Sequence, residues 1–409
     1  MLTLGIIHTL ALAALAIFLG HGVRRLLPVL ARLNVPAPVI GGIIVSLVVL
    51  AAREWWSITV SFDTALQAPL MIAFFTSIGF AASGALLKSG GRLVLVFFGL
   101  SAAFAVIQNL AGILVALPFG LHPLFGVLAG SVTLTGGPAT GLAFAPVFEQ
   151  AGVQNAAVLA VATAMAGIVS GGLVGGPLAT ALIRRRKLRA PYAQPIKGET
   201  PVGTHLVEER IAEPPLHAPP GEDRESYLLL KNITVILAAM WIGSILSDTI
   251  AAWALTLPAY IGAMLAAALL RNIDDGTRLI GISQRSVDDI GSVALSLFIA
   301  MALITLDLRA LAGLALPLLA ILVLQIVLVA LYCQLVFRWM GRDYDAAVMC
   351  GGFCGFMLGT TANAMANMET LVESYGPAPR AYLIVPMVGA FFIDFANALI
   401  ITAFLNILR

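Results

Sequence analysis

The chain has 409 residues, of which 60% are hydrophobic and only 11% charged. A soluble globular domain carries about 45–50% apolar and about 25% charged residues. The composition therefore excludes a soluble domain, a disordered chain and a nucleic-acid binder, and it makes lipid the main solvent. A net charge of +2 offers nothing to a polyanionic partner, and 3 cysteines cannot build a disulfide framework.

The first apolar run, Leu4 to Gly20, has no basic residue before it; the first is Arg24. It lacks the positive start of a secretory signal and reads as a retained membrane helix. A crossing helix needs roughly 20 apolar residues. That rule predicts crossings near 2–20, 38–52, 69–87, 93–117 and 154–183 in a first repeat, 1–183. A second repeat, 227–409, gives 229–247, 254–270, 290–306, 312–337 and 381–407. Between them, 184–226 opens with Arg184, Arg185, Arg186, Lys187 and Arg189 and then turns proline-rich. It reads as a polar cytoplasmic linker, with a regulatory loop as the other reading.

Two apolar stretches, 122–148 and 344–372, are broken near their middles by Gly, Thr, Asn or Pro. Each arm would span roughly 18–24 Å at 1.5 Å per residue, too short for a hydrocarbon core of about 30 Å. Both are expected to be re-entrant hairpins, since non-helical backbone at membrane depth survives only inside protein or beside a water-filled cavity. With the N-terminus outside and both hairpins returning to the side they left, 20 of the 23 Lys+Arg lie inside, leaving Arg53, Arg309 and Arg409 outside. This satisfies the positive-inside rule and puts both termini outside.

The halves are related. Ile40-Gly41-Gly42 meets Ile261-Gly262-Ala263, Gly130 meets Gly351 and Thr140 meets Thr361 at one common offset. Five crossings per half invert the second relative to the first. The predicted fold is an all-α polytopic membrane protein of two inverted repeats of five transmembrane helices, each with a re-entrant hairpin, an arrangement typical of secondary transporters.

The candidate chemistry lies at the hairpin tips and in the last helix. The first tip carries Thr135, Gly136, Gly137, Pro138, Ala139 and Thr140; the second carries Gly359, Thr360, Thr361, Ala362 and Asn363. A glycine turn followed by a helix N-terminus supplies unpaired N–H groups and a positive dipole end, hence an anion site. Helix packing, with hydroxyls bonded to their own backbone, is the alternative for any one of these residues. Asp394 stands mid-helix in an uncharged run, with Asn397 one turn on. An intramembrane carboxylate is by default functional, and oxygen ligands suit sodium; a hydrogen-bonded structural acid is the other possibility. Gln108-Asn109, paired across the repeats with Gln325, divides between ion path and interhelical hydrogen bonding. Cys350 and Cys354 read as packing, the glycines at 171, 172, 175 and 176 as a helix-contact stripe, and the five tryptophans as an interfacial belt. The five histidines form no catalytic or metal set, so no enzyme is expected.

These residues carry a family resemblance. Pro69-Leu70-Met71-Ile72-Ala73-Phe74-Phe75, the run Ala129 to Gly137, Tyr344-Asp345-Ala346-Ala347-Val348 and the run Val385 to Asp394 resemble the glutamate:sodium symporter family of bacteria, the GltS type. The resemblance implies sodium as coupling ion with no other cofactor, uptake of L-glutamate or a related small carboxylate, an elevator-type carrier, a homodimer and the bacterial inner membrane. From the residues themselves, Thr135, Gly136, Gly137, Thr140, Thr360, Thr361 and Asn363 are expected to bind substrate, and Asp394 with Asn397 sodium. The chain departs from the family pattern at Pro138, Ala139, Met357, Ala362 and Asn363, where the pocket would be shaped. A carrier for a different organic anion and an anion channel remain as alternative readings. The topology predicts that single cysteines at 309 and within 184–226 react with impermeant maleimide from outside and inside respectively; outside labelling of the central loop would overturn the inverted arrangement.

Overall fold

In lipid a backbone must satisfy its own hydrogen bonds, and this chain does so mostly as helices. The computed structural model describes residues 2–89, 91–190, 224–251, 258–306 and 315–408. Most of the central loop, Trp253, Arg309 and Arg409, which entered the topology and the aromatic belt, lie outside the described residues.

The order begins with β1 (Leu2–Leu4), α1 (Ile6–Leu26), α2 (Pro28–Arg32), α3 (Ala37–Trp56), β2 (Val60–Phe62), α4 (Gln67–Ala81) and α5 (Gly84–Ser89). It continues with α6 (Gly91–Ala116), α7 (Pro123–Val127), α8 (Gly137–Gln150), α9 (Ala156–Arg186), α10 (Arg224–Ala251), α11 (Ala259–Thr277) and α12 (Gln284–Ile304). The last elements are α13 (Ala315–Trp339), α14 (Tyr344–Leu358), α15 (Thr361–Tyr375), α16 (Pro379–Met387) and α17 (Ile393–Leu408). Among the described residues, 7 helices are long and apolar enough to cross a membrane, by length and composition: α1, α3, α6, α9, α10, α12 and α13.

Three details differ from expectation. The fold is not wholly helical: β1 and β2 pair in parallel, Leu2 opposite Val60 and Leu4 opposite Phe62. The expected crossing 69–87 stops at Ala81, where the chain turns before α5 and the Ser83 hydroxyl binds the Asp275 carboxylate. The expected crossing 381–407 is interrupted by a π-helical segment, Val388–Phe392, between α16 and α17.

The chain forms two compact units, Met1–Ser83 with Pro215–Gly313, and Gly84–Pro214 with Leu314–Arg409. Each draws on both halves of the sequence. In the first unit, glycines let helices meet backbone to backbone. A Cβ on Gly20 would strike the Ala37 carbonyl, and one on Gly41 the Ala16 carbonyl, so α1 and α3 touch without side chains between them. Gly243 and Gly262 make the same contact between α10 and α11. Packing of this kind replaces the hydrophobic effect, which gives no drive between helices in lipid.

The second unit is built around α14. All 15 of its residues are buried, as expected of a helix that is apolar all round. Phe353 of α14 lies 5.9 Å from Phe97 and 5.5 Å from Phe104 of α6, and stacks on Tyr332 of α13 at 5.7 Å. The three cysteines are free and buried, and Cys350 donates to the Cys333 carbonyl at 3.2 Å, so they serve as packing groups. Trp55, Trp56 and Trp339 are exposed at helix ends; Trp241, expected there too, is exposed but lies inside α10, which runs on to Ala251.

After α11 the chain turns around one carboxylate. Asp274 is buried and accepts from the N–H groups of Ile280 at 2.8 Å, Gly281 at 3.0 Å and Ile282 at 2.9 Å. Burial raises its pKa, but these three N–H groups and the Arg271 guanidinium outweigh burial and hold it below the usual range. The ionised form is therefore favoured by the fold. Its contribution is full above the unfolded value of about 3.9 and is lost as pH falls below it. Asp274→Asn turns one acceptor oxygen into an N–H₂ facing an N–H, and should lower stability by about 1–3 kcal/mol. A thermal-shift series from pH 7 to pH 3 should show the wild type losing its advantage over the variant at the acid end.

Candidate functional site

Both interrupted stretches belong to the second unit. The first runs from α7 through a π-helical turn, Leu128–Val132, in which Gly130 leaves helical geometry (φ −96°, ψ −128°). The chain is then broken at Thr135 and Gly136 before α8 begins. Gly137 has φ +70°, a left-handed value that favours glycine. A Cβ on the preceding Gly136 would lie 2.6–2.7 Å from the Thr140 side chain, so the turn closes over the first turn of α8 only with glycine there. The second interruption is as short: α14 ends at Leu358, Gly359 leaves helical geometry, Thr360 is extended, and α15 begins at Thr361. The arms α8, α14 and α15 have 14, 15 and 15 residues, or roughly 21–22 Å each.

The two breaks meet. A Cβ on Gly137 would be 3.9 Å from the Gly359 carbonyl oxygen and 4.0 Å from Thr360 Cγ2. Gln108 of α6 ties them together: its Nε2 donates to the Met357 carbonyl at 2.8 Å, and its Oε1 accepts from Thr135 Oγ1 at 2.6 Å. Thr135 Oγ1 also lies 3.4 Å from Met357 Sδ.

Of the expected substrate residues, Thr135, Gly136, Gly137, Thr140, Thr360 and Thr361 sit at these breaks. Thr135 and Thr140 are buried. Thr360 caps α15, its hydroxyl accepting from Asn363 N–H at 3.4 Å. Thr361 Oγ1 donates to the Gly389 carbonyl at 2.8 Å, inside the π-helical segment of the last helical run. Asn363 is fully buried and its amide N–H₂ is taken up by the Ile168 carbonyl of α9 at 2.5 Å. It anchors α15 through that end. Glycines of α9 receive the preceding arm, α14: a Cβ on Gly167 would strike the Leu358 carbonyl, and one on Gly171 would come within 3.1 Å of the Gly355 carbonyl.

Asp394 and Asn397, the expected sodium residues, lie on α17. Asp394 is half-buried, and Asn397 is fully buried with its Nδ2 donating to the Ser131 carbonyl at 2.9 Å. Asn397 is thus joined to the first break. Ser131 was not singled out from the sequence, although it lies inside one of the family-like runs.

The arrangement separates two kinds of chemistry. At the start of α8 the N–H groups of Gly137 and Ala139 have no acceptor within the helix, and at the start of α15 the same holds for Thr361 and Ala362. Both positive helix ends favour an anion. Thr135 and Thr361 spend their hydroxyl protons on Gln108 and Gly389, so toward a ligand their oxygens are acceptors. Carboxylate and ammonium groups therefore each find partners, without a basic side chain. Among the described residues no cluster of His, Cys, Asp and Glu could hold a metal ion.

An apolar helical chain with several membrane-length spans and a buried polar site at paired helix breaks is a multi-pass membrane protein, and its relatives are transporters rather than enzymes. The sodium/glutamate symporter family model matches residues 2–377. The chain is 40% identical over 410 residues to the sodium/glutamate symporter of Escherichia coli (strain K12), covering 99% of this chain and 98% of that one. It is 39% identical over 393 residues to the sodium/glutamate symporter of Haemophilus influenzae, covering 96% and 95%. The solved structure of a sodium proton antiporter from Methanocaldococcus jannaschii aligns with 98% of each chain at 15% identity and a TM-score of 0.43. The protein belongs to the sodium/glutamate symporter family, whose coupling ion is sodium.

Gln108→Leu removes both bonds across the breaks and leaves the Met357 carbonyl buried without its donor. An unmade buried bond costs about 1–3 kcal/mol. The variant should melt several degrees lower in detergent, while Gln325→Leu, which removes a single bond to the Gln108 carbonyl, should lower it less.

Proposed function

We propose that the protein is a sodium-coupled symporter that imports L-glutamate or a closely related acidic amino acid across the bacterial inner membrane. The observation that carries this reading is the meeting of two helix N-termini beside Thr135 and Thr361, in a chain 40% identical to a sodium/glutamate symporter over nearly its whole length. The substrate carboxylates bind the N–H groups that open α8 and α15, and the Thr140 hydroxyl. The ammonium binds the acceptor oxygens of Thr135 and Thr361. Thr360 and Asn363 hold the second tip in shape, and Gly136 and Gly137 let the first approach it. Asp394 supplies negative charge for sodium, and Asn397 an oxygen ligand.

The two interrupted stretches act as re-entrant hairpins within two inverted repeats. Support comes from the shortness of α8, α14 and α15, and from the Gly20–Gly41 closeness that recurs between Gly243 and Gly262. Alternating access is of the elevator type, with the unit that contains both breaks as the moving body. The protein works as a homodimer, with both termini outside and the central loop in the cytoplasm. Inward sodium drives uptake, since each charge moved through 100 mV releases about 2.3 kcal/mol.

The test is purified protein in vesicles under an inward sodium gradient, with labelled glutamate. Sodium-dependent uptake and counterflow against unlabelled glutamate support the reading; sodium-independent leak without counterflow identifies a channel, and counterflow by another carboxylate but not glutamate identifies a different anion carrier. A hydrogen bond to a charged group is worth about 1.5–3 kcal/mol. Thr140→Ala and Thr361→Ala should therefore each raise the glutamate Kd by roughly 10- to 150-fold at saturating sodium, and a double-mutant cycle by calorimetry should find them non-additive.

A further inference from the structure

Four buried side chains around the first break each keep one polar atom without a protein partner: Ser131 Oγ, Asn397 Oδ1, Gln325 Oε1 and Asn109 Nδ2. All four residues are fully buried. They come from four elements of one unit, the π-helical turn, α17, α13 and α6, and they are held together by their other atoms. Asn109 Oδ1 accepts from Ser131 N–H at 2.9 Å, Asn397 Nδ2 donates to the Ser131 carbonyl at 2.9 Å, and Gln325 Nε2 donates to the Gln108 carbonyl at 2.8 Å. Gly130 makes room, for a Cβ there would lie 2.9 Å from Asn109 Oδ1 and 3.0 Å from the Gln108 carbonyl oxygen.

A buried polar atom left unpaired costs about 1–3 kcal/mol, and native proteins rarely leave several in one place. Here three of the four are oxygens. The amide orientations are set by the bonds just described, so Oδ1 of Asn397 and Oε1 of Gln325 are the free ends. Hydroxyl and amide oxygens are hard, neutral ligands, suited to a hard cation and not to a transition metal. With no carboxylate among them they suit one charge, not two. Asp394 lies three residues before Asn397 on α17, on the same side and about 4.5 Å along the axis, where it balances that charge.

We infer that Ser131 Oγ, Asn397 Oδ1 and Gln325 Oε1 form a buried monovalent-cation site, with Asp394 as its counter-charge and not its direct ligand. This rests on the sodium-coupled reading above and moves the ion from the carboxylate to the turn beneath the first tip. Because the N–H groups of Thr135 and Gly136 at the break donate to the Ser131 carbonyl, filling the cation site orders the tip that receives substrate. Sodium binding therefore precedes and strengthens glutamate binding.

The test uses the full-length protein in lipid nanodiscs, with sodium chloride titrated against choline chloride at constant ionic strength. The melting temperature is read without glutamate, and glutamate binding is read by calorimetry. Wild type should melt higher in sodium than in choline. Ser131→Ala and Gln325→Leu should raise the half-saturating sodium concentration about 10- to 100-fold. Glutamate affinity at saturating sodium should stay within about twofold of wild type. Ser131→Cys, which keeps the volume but replaces hard oxygen with soft sulfur, should behave like Ser131→Ala. Equal melting of wild type in sodium and choline, or wild-type sodium titrations in these variants, would overturn the site. A sodium-dependent melting shift that the variants lose, in a protein that binds no glutamate, would leave the cation site standing and remove the glutamate reading instead.

Discussion

An interrupted helix inside a lipid-embedded protein must find partners for the backbone groups that the interruption releases. The second unit meets that demand with amides and hydroxyls. Gln108 donates to the Met357 carbonyl, Asn363 to Ile168, Asn367 to Gly171, Thr361 to Gly389 and Asn397 to Ser131, while Asn109 accepts from the Ser131 N–H. Every one of these bonds ends on a backbone group, and several end on a residue at or beside a break.

The same constraint decides what the site can bind. A lysine or arginine at this depth would have to be desolvated, which is expensive unless paired. Helix N-termini deliver positive potential with no such charge, since the dipole is built into the peptide units and is worth up to about 2 kcal/mol in partly buried geometry. Their negative counterpart is supplied by oxygens whose protons are already engaged elsewhere. A zwitterionic ligand with extra carboxylate suits that division, and so does a cation that arrives with it.

Glycine decides how closely the parts approach. Gly167 and Gly171 bring α9 against the backbone at the end of α14, and Gly137 brings the first break to the second. In a soluble protein such contacts would compete with burial of larger side chains. In a bilayer, where tails are as apolar as leucine, close backbone packing is itself the source of helix association. The aromatic group around Phe353 fills the wider gaps that α6 and α13 leave around α14.

The sequence by itself determined where helices form and where they stop. Apolar length is a local property, so seven of the ten expected crossings coincide with helices long and apolar enough to span, while 69–87, 254–270 and 381–407 fall on helices that do not meet that length or apolarity, and both interruptions fall at adjacent Gly and Thr residues inside the stretches expected to break. Family membership was legible for the same reason, in contiguous runs such as Ala129 to Gly137. The partners of buried amides were not legible. Asn397 bonds to a residue 266 positions away and Asn363 to one 195 away, pairings that no local pattern encodes. Asn363 read as a substrate group, yet its N–H₂ donates to α9; Ser131 was not singled out, yet it joins Asn109 and Asn397. The π-helical segment before Asp394 escaped notice as well, because a single extra residue in a helical turn leaves hydrophobic periodicity almost unchanged. Which polar atoms are used up and which stay free follows from how the elements pack, and only the tertiary structure decides that.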